Sequence, residues 1–309
     1  MERWLAMSEL IVIAVPTLGR PVYLRRCLES LAELQIPDGK ELALCLVDNN
    51  PDGEAQSLFS EIDLPFAKHY VQAPERGLSH ARNRGIEKAL ELSADYIAFI
   101  DDDETASPEW LYEGAARMDV GDGDVVCGPR TFHLPETTPE WIRKLSVFRK
   151  RTSVDIVAST SNVLFKISLV REWGLRFRLA FNFTGGEDKV FFLEAADRGA
   201  RTVWAPGAEV HEAVPATRAT LKWFLQRKFR SGITRVLQKR FLVNTASTWY
   251  SYFPQAIVNL IVFPFWAMLG ALRGPHKMAE GLGRGAVAIG ILWALFGQVY
   301  NEYATVHGE

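Results

Sequence analysis

The stretch DYIAFIDDDETASPEWL, residues 95–111, decides how the chain is read. Tyr96, Ile97, Ala98, Phe99 and Ile100 form an apolar run in strand register that stops at three carboxylates, Asp101, Asp102 and Asp103. Adjacent carboxylates repel one another unless a cation or a set of donors neutralises them. The carboxyl ends of strands are also where α/β sheets bind ligands. A hard divalent cation with oxygen ligands and a phosphate partner meets both conditions; the alternative is a solvated acidic turn.

On either side of this stretch, strand-like and helix-like segments alternate. IVIAVP (11–16) is a short apolar run, and in the following YLRRCLESLAEL the residues Leu24, Cys27, Leu28, Leu31 and Leu34 recur at helical spacing. ELALCLVDN (41–49) predicts a second buried strand, ended by the turn signal Asn-Asn-Pro-Asp-Gly. RGLSHARNRGIEKALEL (76–92) predicts a helix with Leu78, Ala81, Gly85, Ile86 and Ala89 on one face, and VVCGPRTF (125–132) a further strand. The order predicts an α/β fold whose mainly parallel sheet is covered by helices.

A chain of 309 residues, 48% hydrophobic and 23% charged, has room for one large or two moderate domains with a real core. Its net charge of −2 exerts no general pull on nucleic acid, so no nucleic-acid partner is expected and any polyanion site must be local. Cys27, Cys45 and Cys127 lack C-x-x-C spacing and sit in apolar segments, which predicts reduced core thiols and a cytoplasmic compartment. The opening MERWLAMSELIVIAVP carries Glu2 and Glu9 and runs directly into the first strand, so it is read as no signal peptide.

Beyond about residue 220 the character changes. WFLQRKFRSGITRVLQKR (223–240) is basic and amphipathic, FPQAIVNLIVFPFWAMLGAL (253–272) carries no formal charge, and AVAIGILWALFGQVY (286–300) is a second apolar stretch. The first apolar stretch is long enough to span a bilayer and the second is short for it. Basic residues flank the first on both sides (Arg235, Lys239 and Arg240; Arg273, Lys277 and Arg284), against the positive-inside tendency for a single span. Pro254 and Pro264 also oppose a straight helix. The expectation is an interfacial or re-entrant hairpin on the cytoplasmic side, with two true spans or a buried soluble hairpin as alternatives.

Each strand delivers polar groups at its carboxyl end: Pro16 and Thr17, then Asp48 and Asn49, then the Asp triplet. Converging ends make a crevice suited to a nucleotide. Asp48 can accept hydrogen bonds from a ribose or base, or simply form the turn. Arg76 and Arg82 bracket a helix start, a ready pyrophosphate site. In FTGGEDKVFF, Glu187 and Asp188 follow two glycines and open a helix, where they act on a substrate or only cap that helix.

Together VPTLGRPVYLRRCLESL, CLVDNNPDG, RGLSHARNRGI, YIAFIDDDETASPEWL, TGGEDKVFFLEAADRG and WAPGAEVHE resemble glycosyltransferase family 2, the inverting nucleotide-sugar transferases of the GT-A fold. The resemblance covers roughly residues 10–215 and is strongest to bacterial exopolysaccharide-type members, which build on a lipid carrier at the membrane. It implies a catalytic domain over 1–219, with a nucleotide half about 10–133 and an acceptor half about 134–219, followed by a membrane-associated region over 220–309. It implies nucleotide contacts for Thr17, Asp48 and Arg82, with Asp102 counted beside them. Asp103 is implied as a direct ligand of Mn²⁺ or Mg²⁺, Asp101 as its ribose or water-mediated partner, and His211 as a second metal ligand. Asp188 is implied as general base with Glu187 in support. One departure is the strand end Val-Asp-Asn-Asn, where many members carry two acidic residues.

The implied donor is a nucleotide-sugar, UDP-linked by family habit, and the implied acceptor a polyprenyl-diphosphate-linked saccharide or another lipid-linked one. Arg227 and Arg230 in QRKFRSG either grip a diphosphate or meet anionic lipid headgroups. A nucleotidyltransferase that makes nucleotide-sugars and a non-catalytic binding module remain the competing classes.

Overall fold

A computed structural model describes residues 8–121, 123–150, 152–153 and 158–300. The reading of the N-terminus as no signal peptide falls largely on residues 1–7, outside the described part. In chain order the elements are β1 (Glu9–Thr17), α1 (Pro21–Ala32), β2 (Lys40–Asp48), α2 (Ala55–Glu61), β3 (Ala67–Gln72), α3 (Leu78–Glu91), β4 (Tyr96–Phe99), β5 (Glu104–Ala106), α4 (Trp110–Asp119), β6 (Val125–Cys127) and β7 (Arg130–His133). There follow α5 (Glu140–Arg143), β8 (Val163–Lys166), α6 (Ser168–Arg171), α7 (Glu187–Asp197), β9 (Thr202–Trp204), β10 (Val210–Ala213), α8 (Leu221–Leu242), α9 (Thr245–Ala271) and α10 (Pro275–Leu295).

The main sheet has seven strands in the order β3-β2-β1-β4-β8-β6-β9, and only β8 runs against its neighbours. A strand buried on both faces reads as one apolar run, and successive side chains then serve opposite cores. β1 does this: Val12 and Ala14 pack with α3 and α7, while Ile11, Ile13 and Val15 pack with α1 and α4. The expected mainly parallel α/β sheet flanked by helices is therefore present. All three cysteines are buried free thiols.

The predicted strand at 125–132 is in fact two strands in different sheets. Gly128 and Pro129 break it: a Cβ at 128 would lie 1.7 Å from the Ala208 carbonyl oxygen, and Pro129 has no N–H to donate. β6 stays in the main sheet, whereas β7 joins β10 and β5 in a three-stranded sheet that carries the Asp triplet's far side.

α8, α9 and α10 pack side by side. Gly232 and Gly290 let α8 and α10 approach until side-chain-sized space disappears: a Cβ at 290 would lie 2.0 Å from the Phe229 carbonyl oxygen. α9 passes unbroken through Pro254 and Pro264. Each proline forfeits one backbone bond, a local loss that leaves the other bonds of this long apolar helix in place. α9 and α10 are long and apolar enough to cross a membrane by length and composition.

Candidate active site

The strand ends converge on a crevice of about 560 Å³. Thr17, at the end of β1, donates its hydroxyl to Asp102 Oδ2 at 2.7 Å. Asp102 is fully buried behind the crevice and pairs with Arg20; burial pushes its carboxyl up to about 7, against the pull of Arg20. Its neighbours turn the other way, so Asp101 and Asp103 line the crevice. Asp101 Oδ1 accepts from Arg82 at 3.3 Å. Asp103 Oδ2 accepts from Arg20 at 2.7 Å and from Arg218 at 3.2 Å. The triplet is thus neutralised by guanidinium groups, and its outer members Asp101 and Asp103 remain open to a ligand.

Arg82 reaches from α3 to pair with Glu187 as well as Asp101, joining the two acidic motifs. Glu187 is buried, and that burial raises its carboxyl to about 7; Arg82 opposes the rise and the adjacent Asp188 adds to it. Its Oε2 has no hydrogen-bond partner among the described residues. Asp188 also lines the crevice; its Oδ2 accepts from Ser159 Oγ at 2.9 Å and its Oδ1 from the Lys189 amide at 2.6 Å.

The turn that presents both carboxylates is held from α8. Gly186 precedes α7 with φ +91°, a conformation that glycine adopts without strain. A Cβ there would lie 2.3 Å from Thr234 Cγ2, and the buried Gln238 amide donates to the Gly186 carbonyl at 3.1 Å. α8 also sends Arg227, Arg230 and Arg235 into the crevice lining, and Arg227 stacks on Trp223. Pro16 and Arg76 complete the predicted residues on this surface.

Three predicted residues stand off it. Asp48 is fully buried and accepts from the Asn50 and Ala55 amides and the Tyr70 hydroxyl, each at 2.9 Å, so it builds the turn after β2. Asp102 is the buried anchor described above. His211 lies on the β10 face opposite Glu212 and meets His133 at 3.1 Å, nitrogen to nitrogen. Its strand neighbour Glu212 takes the crevice side and pairs with Arg130 at 3.1 Å. Arg20, Arg130, Arg218, Glu212 and Gln238 are given no role by the sequence alone, although all but Arg218 lie inside quoted segments; Asn49 is marked there only as a polar group at a strand end.

Among the described residues no group of three or more His, Cys, Asp or Glu side chains is arranged to hold a metal. Asp101 and Asp103 nevertheless offer oxygen donors on the crevice surface. That set fits a cation such as Mg²⁺, which takes one or two carboxylates and completes its shell with phosphate and water.

Comparison with known proteins gives a consistent picture. The family described as "Glycosyl transferase family 2" matches residues 12–178, and "Glycosyl transferase family group 2" matches residues 96–300. The succinoglycan biosynthesis protein ExoM of Rhizobium meliloti (strain 1021) is 34% identical over 235 residues, 72% of this chain and 73% of that protein. S. aureus TarS 1-349 in complex with UDP-GlcNAc superposes with a TM-score of 0.53 at 15% identity, covering 95% of this chain and 93% of that one. Mannosyltransferase PcManGT from Pyrobaculum calidifontis, in complex with GDP-Man and Mn2+, superposes at 0.58 with 17% identity, over 92% of this chain and 87% of that one. The carboxylates at the strand ends, the arginines facing them and these likenesses lead to one conclusion: the chain belongs to glycosyltransferase family 2, has the GT-A fold and is a glycosyltransferase.

Proposed function

We propose that the chain moves a sugar, with inversion, from a nucleotide-sugar donor to a saccharide carried on a polyprenyl diphosphate or another membrane lipid, with a UDP-sugar as first candidate. The observation that carries this reading is that a single crevice joins Asp101 and Asp103, the arginines of α8 and the carboxylate of Asp188. In this reading residues 1–219 form the catalytic unit, about 10–133 serving the donor and about 134–219 the acceptor, and residues 220–309 form the membrane-facing unit. α8 belongs to both.

Arg82, Arg227 and Arg230 bind the donor diphosphate through charge-assisted hydrogen bonds, with Arg76 at the exposed rim. Pro16 and Thr17 form the floor under the nucleotide, and Asp48 shapes the turn behind it. Asp101 and Asp103 would hold Mn²⁺ or Mg²⁺, which when bound offsets negative charge on the leaving diphosphate. The acceptor hydroxyl attacks the anomeric carbon as the bond to the diphosphate breaks, and its proton passes to Asp188. Glu187, fastened to Arg82, keeps that turn in place.

The helical layer supports attachment in the plane of the membrane. α8 is fastened to the α/β body near its start, where Phe224 packs with Ile142 and Val214, and near its end, through Gln238 and the Phe241–Phe181 ring contact. α10 follows α8 along its length, from the Glu280–Lys228 pair at 3.6 Å to the Leu295 carbonyl accepting from Arg240 at 2.7 Å, and Glu280 also accepts the Ser146 amide of the α/β body at 2.6 Å. A hairpin so held lies beside the body instead of standing away from it. Ile261, Phe265, Met268 and Leu272 then face outward, an apolar surface suited to one leaflet. This favours a monotopic enzyme on the cytoplasmic face of the bacterial inner membrane, its basic residues meeting anionic lipid, over two spans.

The test is to supply the full chain in detergent with Mn²⁺, a panel of nucleotide-sugars and lipid-linked saccharides. Release of nucleoside diphosphate that depends on the acceptor is expected. Nucleotide-sugar binding without acceptor-dependent release would contradict the proposal.

A further inference from the structure

A second cavity, of about 320 Å³, adjoins the crevice. The two share Arg130, Ser159, Ser161 and Arg227 in their linings, so Ser159, whose hydroxyl bonds Asp188, stands on the wall between them. Their charges differ in kind. The crevice mixes arginines with Asp101, Asp103, Glu187, Asp188 and Glu212. The second cavity is lined by Arg130, Arg149, Lys150 and Arg227, with no carboxylate among its described lining residues.

Several of these cations are already engaged: Arg130 with Glu212 and Glu104, and Lys150 with Glu209 at 2.5 Å. Arg149 is exposed at the mouth and makes no side-chain hydrogen bond or ion pair among the described residues. Concave surfaces lined by one sign of charge concentrate ligands of the other. Trp204, at the end of β9, adds an aromatic surface to the same lining, together with serine hydroxyls. Aromatic and hydroxyl groups beside fixed cations suit a sugar that carries an oxyanion.

We infer that this cavity is an acceptor subsite that takes an oxyanion borne by the acceptor, a phosphate or a carboxylate, while the acceptor's hydroxyl reaches Asp188. The inference rests on the proposed transfer to a saccharide acceptor. Ser146 ties the subsite to the membrane-facing layer, since it lines the cavity and its amide donates to Glu280 of α10. The oxyanion can come from the diphosphate of a lipid carrier or from an acidic sugar, and the shared chemistry is what the cavity reads.

The test uses the full chain in detergent, saturated with UDP and Mn²⁺ so that the crevice is filled. Geranyl diphosphate and glucuronate are then titrated separately by calorimetry into the wild type and into the R149Q/K150Q variant. At least one probe is expected to bind the wild type and to bind the variant at least about tenfold more weakly. UDP affinity should be the same in both proteins, which also shows that the variant is folded. A response to geranyl diphosphate alone supports a carrier phosphate, and one to glucuronate alone supports an acidic sugar. Binding of neither probe, or equal binding by wild type and variant, overturns the subsite. If acceptor-dependent UDP release persists in that case, the reading of the crevice stands without it. If UDP itself does not bind, the donor reading and the subsite fall together.

Discussion

The two walls of the crevice are built on different physical terms. On the sheet side, Asp102, Asp103, Glu104 and Glu187 are held by Arg20, Arg218, Arg130 and Arg82. On the helix side, Arg227, Arg230 and Arg235 of α8 line the crevice and none of their α8 neighbours there is acidic. Buried ion pairs fix shape but leave little net charge, because the cost of desolvating both partners consumes much of their attraction. In the proposed reading α8, the element that also packs on the apolar hairpin, brings its arginines to the donor diphosphate. In that reading shape comes from one wall and donor-binding charge from the other.

The largest expected effect falls on the turn between the walls. Asp188→Asn should lower kcat roughly 10²- to 10⁴-fold, the range for loss of a general base, with donor KM little changed. Steady-state kinetics on Asp188→Asn and Glu187→Gln read this directly. A dead Glu187→Gln beside an active Asp188→Asn would exchange their roles.

Next comes the stability of the sheet wall. Arg82→Met strands the buried Glu187 and should cost about 3–5 kcal/mol in denaturant unfolding. Arg25→Met at the exposed Arg25–Glu61 pair should cost about 1 kcal/mol or less. Equal losses at the two sites would erase the distinction between buried and exposed pairing.

A smaller effect concerns pH. Glu187 titrates near 7 in the folded chain, above its ordinary value of 4.5, because burial disfavours its charged form. Below pH 4.5 both folded and unfolded chains hold this proton, and the stability linked to it is fully present. As pH rises from 4.5 to about 7 the unfolded chain loses the proton first, so this contribution is lost through that window. Thermal midpoints should therefore fall less steeply with pH in Glu187→Gln than in the wild type; identical slopes would remove Glu187 as the cause.

Least of all should change at His211. His211→Ala leaves the crevice lining intact, so Mn²⁺-dependent donor binding by calorimetry should match the wild type. A clear loss would bring His211 back to the metal.

The parts of this architecture that the residues announce are those set by local pattern. β1, β2 and β4 are apolar runs buried on both faces, and α1 and α3 carry their core residues at helical spacing. β3 escaped notice because AKHYVQ is an edge strand with mostly exposed or half-buried side chains, and β8 because four residues hold too little pattern. In the site, the Asp triplet and the Gly-Gly-Glu-Asp turn were legible as motifs. Which carboxylate of the triplet turns inward was not, since that depends on Thr17 and Arg20 more than eighty positions away. His211 and Glu212 illustrate the same limit. A strand sends neighbours to opposite faces, so one of the two had to face the crevice, and only the register of β10 against β5 and β7 decides which.

The claim that the helix wall supplies the charge for the donor is tested most directly by equilibrium binding of UDP in the presence of Mn²⁺. The full chain and its Arg227→Gln/Arg230→Gln variant are compared in detergent, with matched unfolding curves as the control for folding. Hydrogen bonds to charged groups contribute about 1.5–3 kcal/mol each, so the double variant should bind UDP about 100-fold more weakly or worse. Unchanged UDP affinity in a folded variant would contradict the account and leave donor binding to the sheet wall alone.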